Sequence, residues 1–162
     1  MFVEFENLPR HSRVWIYQSD REFSAQEIEF ISKKTIGFIE QWTRHGSDLK
    51  GSYRIKYKQF LVLAVDEGFN NVSGCSIDSS VHFIQELEKT LNVDMMNKMN
   101  ISFKSGDSIN IVTMSNFKEL VTANIITSKT IVFKNMITTK GELETQWEVP
   151  VNTSWHKRFL VS

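Results

Sequence analysis

The chain has 162 residues, the size of one domain or of one domain with a small appendage. Nineteen basic residues balance nineteen acidic ones, so net charge does not favour nucleic acid or an anionic membrane as a partner. One cysteine excludes an internal disulfide and a thiolate metal cluster built from this chain alone. The longest apolar run, residues 60–65, is far shorter than the roughly 20 residues of a membrane helix, and the N-terminus lacks a signal-peptide pattern. These features predict a cytoplasmic protein without membrane insertion.

The N-terminal part has the pattern of a strand followed by a long helix. Residues 14–18, VWIYQ, are β-branched and aromatic, as in a strand. Ser24 and Glu27 have the spacing of a capping box, and apolar residues follow at helical spacing as far as Trp42. Gly46 is the predicted stop.

The strongest strand pattern lies in residues 53–65. It first alternates between aromatic or aliphatic and basic residues, and from Phe60 it has no polar side, as in a central strand covered on both faces. A loop rich in Gly, Asn and Ser follows. Asp78 then predicts the N-cap of a helix over residues 79–91, whose apolar residues recur at helical spacing.

The C-terminal part is built from shorter segments. Residues 101–104 and 108–113 predict a hairpin about SGDS, and Ser115 predicts the cap of a short helix to Val121. Residues 129–137, KTIVFKNMI, have a strand composition. Capping residues predict the start of two further helical segments. One is a helix that begins after Thr139 and ends before Pro150, and the other is a last helical turn after Ser154.

These elements predict an α+β fold. We expect a mixed sheet with residues 14–18 and 53–65 at its centre, two main helices packed on it, and a smaller C-terminal β/α part. The whole chain, 1–162, forms one domain in this interpretation. The alternative is a subdivision into residues 1–100 and 101–162.

One segment, NNVSGCSIDSSVHF at residues 70–83, has the ingredients of a thiol active site. Cys75 precedes the predicted helix start, where the helix dipole lowers the pKa of a thiol. His82 lies one turn beyond Asp78, and Asp66 ends the preceding strand. Cys75, His82 and Asp66 are therefore the candidate catalytic residues, with Cys75 as nucleophile.

A structural interpretation of the same segment is favoured by the residue types. Cysteine is among the most buried residues, and N-capping explains Asp78. Free amides of a strand-to-helix loop can also bind an anion. The candidate binding residues, here and in the C-terminal part, are Ser73, Gly74, Ser76, Asp78, Ser79, Asn135, Lys140 and Trp155.

Motifs for metal and nucleotide binding do not occur. No glycine belongs to a P-loop or to a G-x-G-x-x-G sequence, and no histidine pair has zinc-ligand spacing. Asp66, Glu67 and Asp78 could approach a divalent ion, but solvated loop acids and a helix cap are the favoured explanation of these residues. We therefore expect neither a metal nor a cofactor.

Trp155, His156, Lys157 and Arg158 follow one another near the C-terminus and suggest a stacking or anion-binding role. The ordinary alternative is a terminal aromatic residue that docks on the domain while its charged neighbours are solvated.

Three segments carry a resemblance to a known family: HSRVWIYQSDREFS, VDEGFNNVSGCSIDSSVHFI and VFKNMITTKGELETQWEVPVNTSWHKRFL. The whole chain resembles a family of short, uncharacterised bacterial proteins commonly labelled "ABC transporter ATPase". That label implies nucleotide binding, here without a P-loop. Residues 108–137 also resemble GYF-like modules, which act in protein interactions, with Phe133 where those modules usually have tryptophan.

The sequence thus predicts a non-enzymatic cytoplasmic binding or adaptor protein. Its expected surface comprises residues 66–82, residues 135–140 and Trp155, and its expected partner is a protein or a small anionic ligand rather than nucleic acid. A small thiol enzyme that uses Cys75 is the alternative, and nucleotide binding is the third. The oligomeric state is left open by the sequence.

Overall fold

The computed structural model of the chain describes residues 1–43, 49–67 and 74–160, without the side chains of residues 74–76. The chain divides into two compact units. Unit 1 comprises Met1–Met96 and Thr138–Gly141, and unit 2 comprises Asn97–Ile137 and Glu142–Ser162. The sequence-based choice between one domain and a division at residue 100 stays a prediction.

Unit 1 contains a three-stranded sheet. Its strands are β1 (Arg13–Gln18), β2 (Lys50–Lys56) and β3 (Phe60–Asp66), in the order β1-β3-β2 and antiparallel throughout. All six apolar residues of β3 are buried, as their uninterrupted run predicted. The predicted central position of this run is confirmed, whereas the central position predicted for residues 14–18 is wrong, because β1 is an outer strand.

The prediction of one strand over residues 53–65 is wrong, because the chain reverses between β2 and β3. Tyr57 and Lys58 both have a φ of 55°, and the N–H of Gln59 donates to the carbonyl of Lys56 at 3.0 Å. Lys56 therefore pairs with Phe60. The turn contains no Gly, Pro or Asn, so the sequence carries no turn signal at this point.

Helix α1 (Ala25–Trp42) begins at the predicted capping box. Ser24 Oγ accepts a hydrogen bond from the N–H of Glu27 at 3.1 Å, and Glu27 Oε1 accepts one from the N–H of Ser24 at 2.8 Å. Phe23, just before the cap, is buried in the core of unit 1. The predicted stop at Gly46 lies outside the described residues.

Helix α2 (Gly74–Leu91) begins earlier than predicted, so Asp78 is an exposed residue inside the helix and not its N-cap. Serine can also be accommodated inside a helix by bonding to a preceding carbonyl, and here Ser80 Oγ donates to the carbonyl of Ile77 at 2.7 Å. Ile84 and Leu87 are buried as expected. Both helices pack on the side of β3 that carries Leu61, Leu63 and Val65.

Both outer strands of this sheet have an additional segment beside them. Beyond β2, Phe2 forms a parallel bridge with Gly51, where the N–H of Val3 donates to the carbonyl of Gly51 at 2.9 Å. Beyond β1, Arg13 forms an antiparallel bridge with Thr139. Residues 1–3 and 138–140 thus extend the sheet of unit 1 on its two sides.

Unit 2 contains a four-stranded sheet. Its strands are β4 (Asn100–Ser105), β5 (Ser108–Thr113), β6 (Ile131–Phe133) and β7 (Glu148–Pro150), in the order β5-β4-β6-β7. The predicted hairpin is confirmed, with Gly106 at a φ of 62° in its turn.

The two helices that follow β5 differ slightly from their predicted bounds. Helix α3 (Met114–Thr122) is capped by Thr113, whose Oγ1 accepts from the N–H of Asn116 at 3.2 Å, and not by Ser115. Helix α4 (Lys140–Thr145) begins directly after Thr139, as predicted.

Two further predictions for the C-terminal part are corrected. The strand predicted over residues 129–137 is limited to β6, and residues 148–150 form β7 rather than the end of a helix. These pairings are non-local, so the local composition cannot define their limits.

The α+β class is confirmed, with one difference in the sheet. All pairs between the named strands are antiparallel, in two sheets instead of one mixed sheet. Short turns account for two of these pairs, β2–β3 and β4–β5, because two strands joined by two or three residues can pair only in the antiparallel sense.

Lys140 is a buried lysine whose ammonium group is bound by the backbone of the N-terminal segment. Its Nζ donates to the carbonyl oxygens of Leu8 at 2.7 Å, Phe5 at 3.0 Å and Glu6 at 3.4 Å. It also lies 5.2 Å from the centre of the Phe5 ring. These contacts attach residues 5–8 to residues 138–141 within unit 1.

We expect Lys140→Met to lower the free energy of unfolding by about 3 kcal/mol, because it leaves buried carbonyl groups without their donor. Urea denaturation measures the change. Lys129→Met is the matched control, since Lys129 is exposed, and it should change the stability by less than about 0.5 kcal/mol. Equal stability of the two variants would contradict the role assigned to Lys140.

Candidate functional site

Asp66, one of the candidate catalytic residues, lies at the end of β3 beside His11. Its Oδ1 is 3.4 Å from Nε2 of His11, whose side chain is 68% exposed. The antiparallel register of β1 and β3 places Arg13 opposite Val65, which brings the residues before β1 to this end of β3. Sequence reasoning had named His82 as the partner and missed His11, because no local pattern connects His11 to Asp66.

The remaining predicted residues of the segment 70–83 belong to α2 or precede it in the sequence. Asp78, Ser79 and His82 are exposed on the helix. Cys75 lies in the first turn of α2 and not before its N-terminus, which corrects the predicted position.

Part of the predicted thiol site lies outside the described residues. Ser73 lies outside the described residues, and so do the side chains of Cys75 and Ser76, while Gly74 is the first residue of α2. The catalytic set of Cys75, His82 and Asp66 therefore stays a prediction.

The acidic end of β3 includes a second carboxylate. Glu67 Oε1 is buried and has no hydrogen-bond partner among the described residues. Within residues 1–43, 49–67 and 74–160, no three His, Cys, Asp or Glu side chains are grouped so that they could hold a metal ion.

Two predicted binding residues have internal partners. Asn135 Oδ1 accepts a hydrogen bond from Nε1 of Trp147 at 2.8 Å, and the buried Trp147 ring packs against Phe133 at 4.9 Å. The ammonium group of Lys140 is bound by the three carbonyls described above. Both side chains stabilise the fold of their own unit.

Trp155 is different, because 38% of this large aromatic residue is exposed. It begins the 3-10 helix Trp155–Phe159, in which Lys157 and Arg158 are also exposed. The guanidinium carbon of Arg158 is 5.1 Å from the centre of the Trp155 ring. We call Trp155, Lys157 and Arg158 the Trp155 patch.

The other residues of this helix are buried and anchor the patch. Ser154 caps the helix as predicted: its Oγ accepts from the backbone N–H of His156 at 3.0 Å. The same Oγ is 2.5 Å from Nδ1 of His156, and the Trp155 ring stacks on the His156 ring at 3.9 Å. Phe159 packs against Phe117 of α3 at 5.4 Å. The patch is therefore held on a fixed base.

The Ser154–His156 pair has the residue types of a hydrolase dyad but not the access that one needs. Ser154 is 3% exposed and His156 1% exposed, so a substrate cannot reach the hydroxyl. Burial, and secondly the charge of Arg158, lowers the pKa of His156 from 6.5 to about 4. The ring is therefore neutral at physiological pH and acts as part of the core.

Lys118 adds a further cation near this region of unit 2. Its Nζ, on α3, is 5.6 Å from the centre of the Phe159 ring. Positive side chains from two elements thus surround aromatic rings, an arrangement that favours an anionic ligand with an apolar part.

Comparison with known protein families, curated proteins and solved structures finds no match for this chain. The resemblances described in the sequence therefore stay predictions. None of the helices in the described ranges combines the length and the apolar character that a membrane span requires.

The pKa of His156 predicts a pH-dependent stability. A histidine whose pKa falls from 6.5 to about 4 on folding binds its proton more readily in the unfolded chain, so the free energy of unfolding should decrease as the pH falls from about 6.5 to 4. The full effect corresponds to about 3 kcal/mol. Urea denaturation across this pH range measures it.

His156→Asn should weaken this pH dependence, because asparagine can accept the Ser154 hydrogen bond without titrating. His82→Gln removes an exposed histidine and should preserve it. If His156→Asn and the wild type showed the same slope between pH 4 and 6.5, the assignment to His156 would be wrong.

Proposed function

We propose that this protein is a non-enzymatic, cytoplasmic binding or adaptor protein and that the Trp155 patch contacts an acidic segment of a protein partner. The single observation behind this proposal is an exposed tryptophan held beside exposed cations on a buried base. Tryptophan and arginine are the residue types most enriched among those that dominate binding energy in protein interfaces.

The fixed base of the patch favours recognition. A side chain that is already ordered loses less conformational entropy on binding, so more of the contact energy appears as affinity. His156 and Phe159, both buried, hold the helix that presents Trp155 and Arg158. Arginine can bind a carboxylate through two parallel hydrogen bonds while Trp155 covers a neighbouring apolar group.

The resemblance to GYF-like modules supports the same class of function. It falls on β5, α3 and β6, in the unit that carries the patch. GYF-like modules act in protein interactions.

We expect a peptide that alternates glutamate with leucine to bind the protein and to change its tryptophan fluorescence, since Trp155 is the most exposed of the four tryptophans. Trp155→Ala and Arg158→Glu should each weaken binding by about tenfold or more, because both remove direct contacts. Binding of the wild type should also weaken with added salt. Isothermal titration calorimetry measures the affinity.

Lys129→Glu is the matched control, because it makes the same charge change at an exposed position of unit 2. It should retain wild-type affinity. If Lys129→Glu weakened binding as much as Arg158→Glu, the attraction would be a general charge effect, and the patch would not be the site. Free glutamate and inorganic phosphate, titrated separately, show whether a small anion suffices.

A second candidate function is a thiol enzyme, favoured by the position of Cys75 in the first turn of α2. The N-terminal end of a helix stabilises negative charge, and a thiolate is the reactive form of cysteine. Asp66 and His11 at the end of β3 are a carboxylate and an imidazole in contact with each other. Such a pair can orient a base for nucleophilic chemistry.

We expect Cys75 in an enzyme of this kind to react with iodoacetamide at neutral pH faster in the native protein than in the urea-unfolded chain, because folding would stabilise its thiolate. Mass spectrometry follows the labelling, and the single thiol makes the result unambiguous. Slower labelling in the native protein would exclude the nucleophile and leave the binding function. His11→Gln, compared with His82→Gln, shows which histidine assists the reaction.

A further inference from the structure

Strand β5 lies at the end of the sheet of unit 2. In the described part of the chain its one partner strand is β4. Residues 109–112 are half-buried, and the residues at either end of the strand, Ser108 and Thr113, are exposed. The long side of β5 that faces away from β4 is thus a strand edge.

The hairpin geometry determines which backbone groups point to this edge. Gly106 and Asp107 form a two-residue turn between Ser105 and Ser108, a pair that exchanges hydrogen bonds in such hairpins. Hydrogen-bonded and non-hydrogen-bonded pairs then alternate along the ladder. The N–H and C=O groups of Ile109 and Ile111 consequently point away from β4.

The residues of β5 do not protect this edge. Its sequence, SINIVT, contains no charged residue and no proline, which are the usual means of preventing edge-to-edge pairing. The register with β4 runs from one end of the strand to the other without a bulge. The outer strands β1 and β2 of unit 1, by contrast, both have an additional segment beside them.

We propose that two copies of this chain pair through β5, antiparallel and about a two-fold axis at Asn110. In this register Ile109 lies opposite Ile111 of the partner subunit, and Asn110 lies opposite its counterpart. Ile109 and Ile111 of both copies then exchange four backbone hydrogen bonds. The interface continues the sheet from one copy into the other.

The strand is self-complementary in this register. Isoleucine side chains face isoleucine side chains on one side of the sheet, and the two Asn110 side chains can hydrogen-bond on the other. No charged residue of β5 opposes another. A two-fold axis requires the same surface on both copies, and β5 provides it.

The end of the strand limits the register. Thr113 caps α3, and its carbonyl belongs to the first turn of that helix, so the edge effectively ends at Val112. Ile109 and Ile111 are therefore the outward-facing residues that remain, and Asn110 lies midway between them. Only a pairing centred at Asn110 brings the outward-facing backbone groups of Ile109 and Ile111 of both copies into hydrogen bonds.

Charge substitutions at Asn110 test this interface. In a non-hydrogen-bonded pair the Cα atoms are about 4.5 Å apart, so Asn110→Lys opposes two lysines and Asn110→Asp opposes two aspartates. Sedimentation equilibrium of the wild type should show a concentration-dependent dimer. The dimer affinity of each variant alone should be lower than that of the wild type by about tenfold or more. An equimolar mixture of the two variants should dimerise again.

Asn152→Lys, an exposed position in unit 2, is the matched control and should dimerise as the wild type does. Circular dichroism and thermal melting confirm that each variant is folded. A wild type that stays monomeric at every concentration would overturn the proposal and leave β5 as an edge for another protein. Undiminished dimerisation of Asn110→Lys, or a mixture that fails to restore the dimer, would overturn the register at Asn110.

Discussion

The fold of unit 1 depends on the complete burial of β3. Its apolar residues, Phe60 to Val65, are at most 1% exposed, and burial of one large aliphatic or aromatic side chain contributes about 1.5–3 kcal/mol. A strand can be buried in this way only if both of its faces are covered and both of its edges are paired. Strands β1 and β2 pair with the two edges of β3, and α1 and α2 cover the face that carries Leu61 and Leu63.

The opposite face of β3 explains the buried lysine. Arg54 pairs with Val62 and so lies on that face, and its guanidinium carbon is 4.2 Å from the centre of the Phe5 ring. The N-terminal segment therefore covers this side of the sheet near Val62. The segment is too short for a regular sheet or a long helix, and some of its carbonyls are left without backbone partners. Lys140 donates to the carbonyls of Glu6 and Leu8, and also to that of Phe5, which already accepts from the N–H of Leu8, and these bonds make the cover stable.

In unit 2 a buried polar pair likewise satisfies the polar groups of a short segment that packs on the core. The 3-10 helix at the C-terminus has to be attached to α3 while its polar groups stay hydrogen-bonded, and Ser154 with His156 satisfies both requirements. The buried residues His156 and Phe159 lie three positions apart on the helix, one turn of a 3-10 helix. The residues that anchor it therefore also present Trp155 and Arg158 outward. The stability of the base and the exposure of the proposed binding patch are thus properties of one short segment. The edge of β5 is a second surface of this unit, and it is independent of the patch in both residues and chemistry.

The sequence by itself determined the features that depend on neighbouring residues. The capping box at Ser24, the turn at Gly106 and the cap at Ser154 follow from contacts within a few positions, and the central position of the apolar run follows from its uninterrupted composition. Trp155 was also found from sequence, because an aromatic residue among cations is visible locally.

Only the tertiary structure decided the features that join distant segments. It separated β2 from β3 at a turn without turn residues, placed His11 beside Asp66, and gave Lys140 a partner at Leu8, 132 positions away. It likewise extended α2 back to Gly74. Such pairings depend on strand register and packing, and these are set by the burial of many side chains together, for which no short stretch of sequence carries a signal.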